Sequence, residues 1–392
     1  MKILLLGEFS RLHNSLKEGL LALGHEVYIA GTGDSFKKYP VNFSIHSMFF
    51  SDFWFLKKCN SLFFKIFKID LQKTEKGIRF YFLIPKLKGF DHIQLINSDA
   101  IETHPPFGIY LLKKLFDQNK SASKSLLVCG DETPVVDYLL KQEFKYSILT
   151  PFFENSLLKS QFDYTLKYVA QDYQKQFEFV LKNSSSLIVS DFDYKLPMER
   201  MGFFPVFIPN PINTHKIEFS ALEISGKIVI FLGINRMNYI KKGIKFFENA
   251  LLLIKQKYPE KVEIIIAEDL PYSEYIKRYE RAHIVLDMVY AFDQGYNALE
   301  AMTKGKVVFS GASTEFENHF NLTKKVVIDA VPDSAEIAFE LEKLILNPQE
   351  IIQIGKRARA FIEKEHDYLI IAKTYLNAWK DERNFLQKEV LK

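Results

Sequence analysis

Short blocks of consecutive apolar residues alternate with amphipathic stretches along most of the chain. Residues 3–6 form a continuous apolar run, as a parallel strand covered on both faces requires. Gly7 interrupts it, Ser10 is placed to cap a helix, and Leu12, Leu16, Leu20 and Leu23 recur at helical spacing. Gly24 ends that helix and residues 25–30 return as a strand, which completes a βαβ unit. The rhythm resumes with a strand at 92–96, a helix at 106–116 and a strand at 124–129. A long helix is predicted over 157–182 and a strand over 186–189. The stretch Pro209-Asn210-Pro211-Ile212-Asn213 is incompatible with a helix and places a linker at 209–226. A second lobe, 227–370, then restarts the pattern. It has a strand at 227–232 closing on Gly233, a helix at 243–255, strands at 262–267 and 283–287, a helix from about Gly295 and a strand at 306–309. From Asp333 the chain reads as helical, ending in a helix over 371–392. The fold class is α/β, with a first lobe over 1–208.

A chain of 392 residues exceeds a single ordinary core, which agrees with two lobes. With 52 basic and 48 acidic residues the net charge is only +4, without the footprint of a nucleic-acid binder. Cys59 and Cys129 supply neither a disulfide framework nor a metal site. No metal and no cofactor is expected. The opening apolar run is too short for a signal peptide, and no run approaches the roughly 18–20 apolar residues of a spanning helix. A cytoplasmic location is expected. One region breaks the α/β rhythm, an insertion at about 46–88. Within it Phe49, Phe50, Phe53, Trp54, Phe55, Phe63, Phe64 and Phe67 alternate with Lys57, Lys58, Lys65 and Lys68. Aromatic and basic residues on opposed faces would suit an interfacial helix, giving 48–68 a peripheral membrane contact at the inner face. The other reading is a helical insertion packed on its own lobe.

Two-lobed α/β proteins bind ligands at the carboxyl ends of their strands, which selects a few loops. In the second lobe, Gly233-Ile-Asn-Arg236 is followed by Lys241-Lys242-Gly243 at the entry to a helix. A guanidinium fork, mobile ammonium groups and free helix N–H groups suit a pyrophosphate; a solvated basic loop is the other reading. The second cluster is Asp293-Gln294-Gly295-Tyr296-Asn297, with Glu300 on the helix behind it among Ala298, Leu299, Ala301 and Met302. A carboxylate in apolar company needs a partner, either a ribose diol or a buried ion pair.

The segment Gly295-Tyr-Asn-Ala-Leu-Glu300-Ala-Met-Thr-Lys-Gly305-Lys-Val-Val-Phe309 resembles the donor-site signature of the GT-B glycosyltransferases, in particular the family 4-like group. Arg236 and Lys242-Gly243 resemble that group's phosphate-binding pair, Ile208-Pro209-Asn210 its interdomain segment, and Gly7 with the following helix its first acceptor-lobe loop. The resemblance implies two Rossmann-like lobes facing each other across a cleft, with the C-terminal helix crossing back to the first lobe. It also implies transfer from a UDP- or GDP-sugar to a glycan or lipid-linked acceptor, retaining and metal-independent, in cell-surface polysaccharide synthesis. Glu300 would hold the ribose, and Arg236 and Lys242 would neutralise the leaving diphosphate. Gly7, Gly233, Lys241, Asp293, Gln294, Gly295, Tyr296 and Asn297 would complete the donor site. The family's first glutamate would stand at Phe292, which implies either that Asp293 or Gln294 meets the sugar instead or that this contact is lost. His104, after a strand-end loop, is the candidate for the family's first-lobe catalytic histidine, with His13 second; a loop histidine before Pro105-Pro106 is equally a structural one. Rival readings are a sugar-nucleotide 2-epimerase of the same fold, using Asp131 or Glu132, and a non-catalytic scaffold.

Overall fold

The computed structural model describes residues 1–34, 38–268, 270 and 272–380. Residues 381–392, in the expected C-terminal helix, lie outside the described residues, as do residues 35–37, Asp269 and Pro271. The chain forms two compact units. The first holds Met1–Tyr138, Asp163–Pro211 and the chain from Tyr368 on; the second holds Leu139–Phe162 and Ile212–Asp367.

The first unit carries a parallel sheet of strands β1 (Lys2–Leu6), β2 (Glu26–Gly31), β3 (Phe43–Ser44), β4 (His92–Leu95), β5 (Ser123–Val128), β6 (Ser186–Val189) and β7 (Val206–Phe207). Their order is β3-β2-β1-β4-β5-β6-β7, so the chain reverses direction across the sheet between β1 and β4. Helices α1 (Leu12–Ala22), α2 (Met48–Asp52), α3 (Trp54–Phe67), α4 (Leu71–Leu83), α5 (Pro105–Gln118) and α6 (Thr133–Leu139) follow in order. Ile3 to Leu6 are solvent-free, which explains why the strand reads as an unbroken apolar run. Ser10 does not cap α1: Ser10 and Arg11 both take positive φ angles (51° and 76°), and the Ser10 amide donates to Asp34 Oδ2 at 2.8 Å.

Of the single long helix expected over 157–182 only the second half is one continuous helix; the first half is short turns. Helix α7 (Thr150–Glu154) precedes it, then a 3-10 turn (Ser156–Gln161), α8 (Asp163–Leu166), another turn (Lys167–Val169) and α9 (Gln171–Lys182). Side chains pull the backbone out of a continuous helix. The Asn155 side chain accepts from the Leu157 amide, Thr165 Oγ1 donates to Asp131 at 2.5 Å, and Thr133 Oγ1 donates to the Tyr168 carbonyl at 2.8 Å. Helix α10 (Phe192–Arg200) completes this part.

The insertion is helices α2 to α4, and one buried carboxylate fastens its start. Glu75 on α4 accepts from Ser47 Oγ (2.6 Å), from the Phe49 and Phe50 amides (3.1 Å each) and from Arg79 Nε (2.8 Å). Burial alone would raise the Glu75 carboxyl, but these donors outweigh it and hold the group at about 2. A carboxyl depressed on folding contributes stability above its ordinary value near 4.5, and loses it as pH falls towards 2. Amide-exchange protection of Phe49 and Phe50 is therefore expected to persist above about pH 4.5 and vanish towards pH 2; in Glu75→Gln it should be weak at neutral pH already.

The second unit has a parallel sheet in the order β12-β11-β10-β8-β9. Its strands are β8 (Ile228–Ile234), β9 (Val262–Glu268), β10 (Ile284–Leu286), β11 (Val307–Ser310) and β12 (Ile328–Asp329). Here the reversal lies between β8 and β10. Helices α11 (Ile244–Lys257), α12 (Tyr272–Glu280), α13 (Tyr296–Thr303), α14 (Thr314–His319), α15 (Ser334–Leu346) and α16 (Pro348–Glu365) cover the sheet. Asp333 caps α15 by accepting from the Ala335 and Glu336 amides.

The last described helix, α17 (Tyr368–Ala378), belongs to the first unit, as the crossing-back expectation required. It packs on α1, where a side chain at Gly19 would come within 2.3 Å of the Tyr368 carbonyl oxygen. Beyond it, buried Trp379 stacks on His92 with ring centres 4.1 Å apart, and its Nε1 donates to Gln94 Oε1 at 2.9 Å. Among the described residues no helix is long and apolar enough to cross a membrane.

Candidate functional site

In doubly wound sheets the crevice for a ligand opens at the carboxyl ends of the strands, where strand order reverses. For the second unit this selects the ends of β8 and β10. Asp287, directly after β10 and 3% exposed, sits at the centre of the site. Lys242 Nζ lies 2.7 Å from Asp287 Oδ1, and Asn297 Nδ2 donates to the same oxygen at 2.8 Å. Two segments of the expected donor site, 241–243 and 295–297, are thus joined through a carboxylate that the loop-by-loop reading did not single out. Its signal in the sequence is an acid closing the apolar strand at 283–287.

Gly243 fits this junction by its backbone. Its φ of 66° is left-handed, and a Cβ there would lie 3.0 Å from Val289 and 3.2 Å from the Tyr290 ring. The Val289 amide also donates to the Lys242 carbonyl at 2.9 Å, so the entry to α11 is stitched to the loop after β10. Gly295 stands at the N-cap of α13, and nothing lies within 4 Å of where its Cβ would stand. Tyr296 is half-buried and Asn297 exposed. Glu300 is half-buried among buried Ala298, Leu299, Ala301 and Met302. The phenol of nearby Tyr279 is raised by burial first, then by Tyr275 and Glu300.

Arg236 is placed differently. It lies in a 3-10 turn after β8, and its guanidinium forks onto Glu268 at the end of β9, with Nη2 2.7 Å from Oε2. The pair is exposed, so water and salt compete with it. Lys241 lies over the Phe162 ring at 5.4 Å. Gly233 is accounted for by packing, since its Cβ would sit 2.9 Å from Tyr275 Oη.

Asp293 and Gln294 are both buried. Asp293 Oδ1 accepts from the Gln294 amide at 2.7 Å, and Gln294 Nε2 donates to the Gly311 carbonyl at 2.6 Å. Phe292 belongs to an aromatic cluster that no local pattern announces. Phe144 and Tyr146, from the segment 139–162 that joins the second unit, place their rings 4.8 and 5.7 Å from it. A carboxylate at position 292 would be desolvated between those rings.

In the first unit the corresponding edge lies between β1 and β4. Gly7 takes a φ of 85°, and a Cβ there would meet Ile96 Cγ2 at 2.4 Å, so backbone geometry alone calls for glycine. His13 is solvent-free. Its Nδ1 lies 2.7 Å from the Gly7 carbonyl, and burial lowers its pKa to about 4, so it is neutral and structural. His104 precedes α5, with Nε2 3.0 Å from the Asp70 carbonyl and 3.2 Å from Thr74 Oγ1, tying α5 to the start of α4. Glu8, next to Gly7 and solvent-free, is pushed up by burial to about 7 despite accepting from Asn14, and stood unremarked in the first loop.

Over residues 240–377 the chain matches the glycosyl transferase-like family. No curated protein matches it in sequence. Among solved structures it is similar to HepE of Anabaena in complex with UDP and glucose: 13% identity over 97% of this chain and 100% of that one, TM-score 0.59. Sucrose-phosphate synthase of Thermosynechococcus elongatus is similar at 13% identity, over 97% and 98% of the two chains, TM-score 0.59. The UDP-GlcNAc 2-epimerase of Neisseria meningitidis bound to UDP-GlcNAc is similar at 13%, over 96% and 99%, TM-score 0.51. Over residues 240–377 the sequence is glycosyl transferase-like, and across nearly its whole length the chain shares its fold with these solved structures.

Proposed function

We propose that the protein moves a sugar from a UDP- or GDP-sugar to a glycan or lipid-linked acceptor. Retention at C1, no requirement for a metal, and a role in cytoplasmic steps of cell-surface polysaccharide synthesis complete the proposal. The observation that carries it is the convergence of Lys242 and Asn297 on Asp287 at the strand-order reversal of the second unit. The similar HepE structure, which holds UDP and glucose, favours a uridine nucleotide.

The reaction breaks the bond between sugar C1 and a diphosphate oxygen, and negative charge grows on the departing diphosphate. Electrostatic stabilisation of that charge is the main lever. Lys242, held by Asp287 rather than free to wander, is a pre-placed cation; Arg236 adds a fork, and the first amides of α13 add N–H donors. Glu300 takes the ribose hydroxyls. Arg236→Ala and Glu300→Ala are each expected to weaken UDP or GDP binding about tenfold by calorimetry, the worth of one charge-assisted hydrogen bond. Unchanged affinity in folded variants would sink the assignment.

The epimerase reading also has the fold in its favour, and burial pushes its candidate Glu132 up to about 7. Glu132 is solvent-free, with one oxygen accepting from Ser98 Oγ and Thr133 N and the other from Ser98 N. Asp131 accepts from Thr165. Labelled donor incubated with and without acceptor separates the readings, since an epimerase converts its substrate when no acceptor is present.

A further inference from the structure

Helix α3 has an apolar sequence, and none of its residues is buried. Only Leu56, Cys59, Asn60 and Phe63, one turn apart, are partly covered, and these mark the side turned to the protein. On the open side Phe55, Leu62 and Ile66 follow one another at spacings of seven and four residues, so they form one stripe. They are 66%, 61% and 63% exposed. Trp54, one residue before Phe55, is 69% exposed. Exposed Phe49 and Phe53 stack on each other immediately before it, and Phe82 of α4 is exposed as well. Surface apolar residues scattered singly need no explanation, but a contiguous group of this kind does.

The lysines show what covers it. The opposed faces expected from the sequence are not what forms. Lys58 and Lys65 stand three residues after Phe55 and Leu62, which puts them along the border of the apolar stripe. Lys58 Nζ lies over the Trp54 ring at 4.1 Å. Residues 54–67 contain no acid, and Lys57 and Lys68 add two more positive charges. A protein partner would need an apolar groove with acids along its rim. A bilayer with anionic headgroups supplies both layers at once, because lysine stems lie along the apolar surface while their ammonium groups reach the phosphates.

We propose that α3, with the end of α2, is a membrane-docking helix that lies in the interface of an anionic bilayer, Phe55, Leu62 and Ile66 inward and Lys58 and Lys65 at headgroup level. Glu75 holds the start of this element to the first unit, which keeps the helix in place while its outer face is free. The inference is independent of the transfer reaction and is tested without it.

The full chain is mixed with vesicles of phosphatidylcholine containing about one third phosphatidylglycerol, and with pure phosphatidylcholine vesicles. Co-sedimentation with the anionic vesicles is expected, falling at least tenfold in Phe55→Ser/Leu62→Ser/Ile66→Ser and in Lys58→Glu/Lys65→Glu, and falling with added salt. Lipids brominated near the headgroup end of the chains should quench the fluorescence of Trp54 in the unmutated protein, with the signal lost in Trp54→Phe, where Trp379 remains. This arm guards against variants that fail to fold. Equal binding to both vesicle types, unquenched Trp54, or triple-variant binding equal to that of the parent overturns the proposal. Concentration-dependent dimerisation abolished by the triple variant, without vesicle binding, assigns the face to a second copy and overturns it too.

Discussion

Lys242→Ala is expected to lower the turnover of sugar transfer about 10²–10³-fold, the cost of losing one pre-placed group that stabilises a developing anion. The size follows from the environment rather than from the charge alone. Arg236 is exposed and paired to an exposed glutamate, so water and salt compete with whatever it binds. Lys242 is largely covered, anchored 2.7 Å from a carboxylate that is itself 3% exposed, and its backbone is fixed by the Val289 amide. It therefore needs little reorganisation as the diphosphate departs. Loss in turnover with a smaller change in KM is the expected split, because the interaction strengthens in the transition state. Lys242→Arg should recover part of the rate. Asp287→Asn should lose rate as well while keeping its contact with Asn297, since the ammonium is no longer held. Rates of labelled-sugar transfer under single-turnover conditions check these outcomes, and a Lys242→Ala enzyme within threefold of the parent overturns the role.

Trp379→Ala is expected to destabilise the protein by about 3–5 kcal/mol, the cost of truncating a buried tryptophan. Three losses combine. The indole is buried, its stacking on His92 disappears, and Gln94 loses a donor in an interior where it also meets Ser125 and His13. His92 itself is lowered by burial to about 3, so it stays neutral and cannot replace the lost interaction with a charge. Trp379→Phe should restore most of the packing but not the hydrogen bond. Urea unfolding should show a lower midpoint with an unchanged slope. A loss below about 1 kcal/mol would mean that the chain end is not part of the first unit's core.

The strands and their α/β class were legible because a parallel strand needs a short apolar run and an intervening helix a 3.6-residue period, both local properties. Ile3 to Leu6 and Leu12 to Leu20 show this directly. The failures have equally local causes. Residues 157–170 contain enough apolar positions to read as helix, but hydrogen bonds to Asp131 and from Thr133 outbid the backbone ladder. Ser10 looked like a cap, yet a positive φ at Arg11 moves the helix start one residue along.

The sequence by itself determined the two-lobed class, the strand-end loops proposed to carry a donor site and the basic, aromatic character of the insertion. Only the tertiary structure decided which charges meet. Arg236 and Glu268 are 32 residues apart, and Lys242 and Asp287 are 45 apart. They become neighbours because β8 lies between β9 and β10, a choice made by sheet order. Phe292, where an acid was expected, is packed by Phe144 and Tyr146, which arrive from a distant segment. Spacing along the chain encodes periodicity, and periodicity fixes elements; partners across an element boundary depend on which strands and helices become adjacent, and no local spacing carries that information.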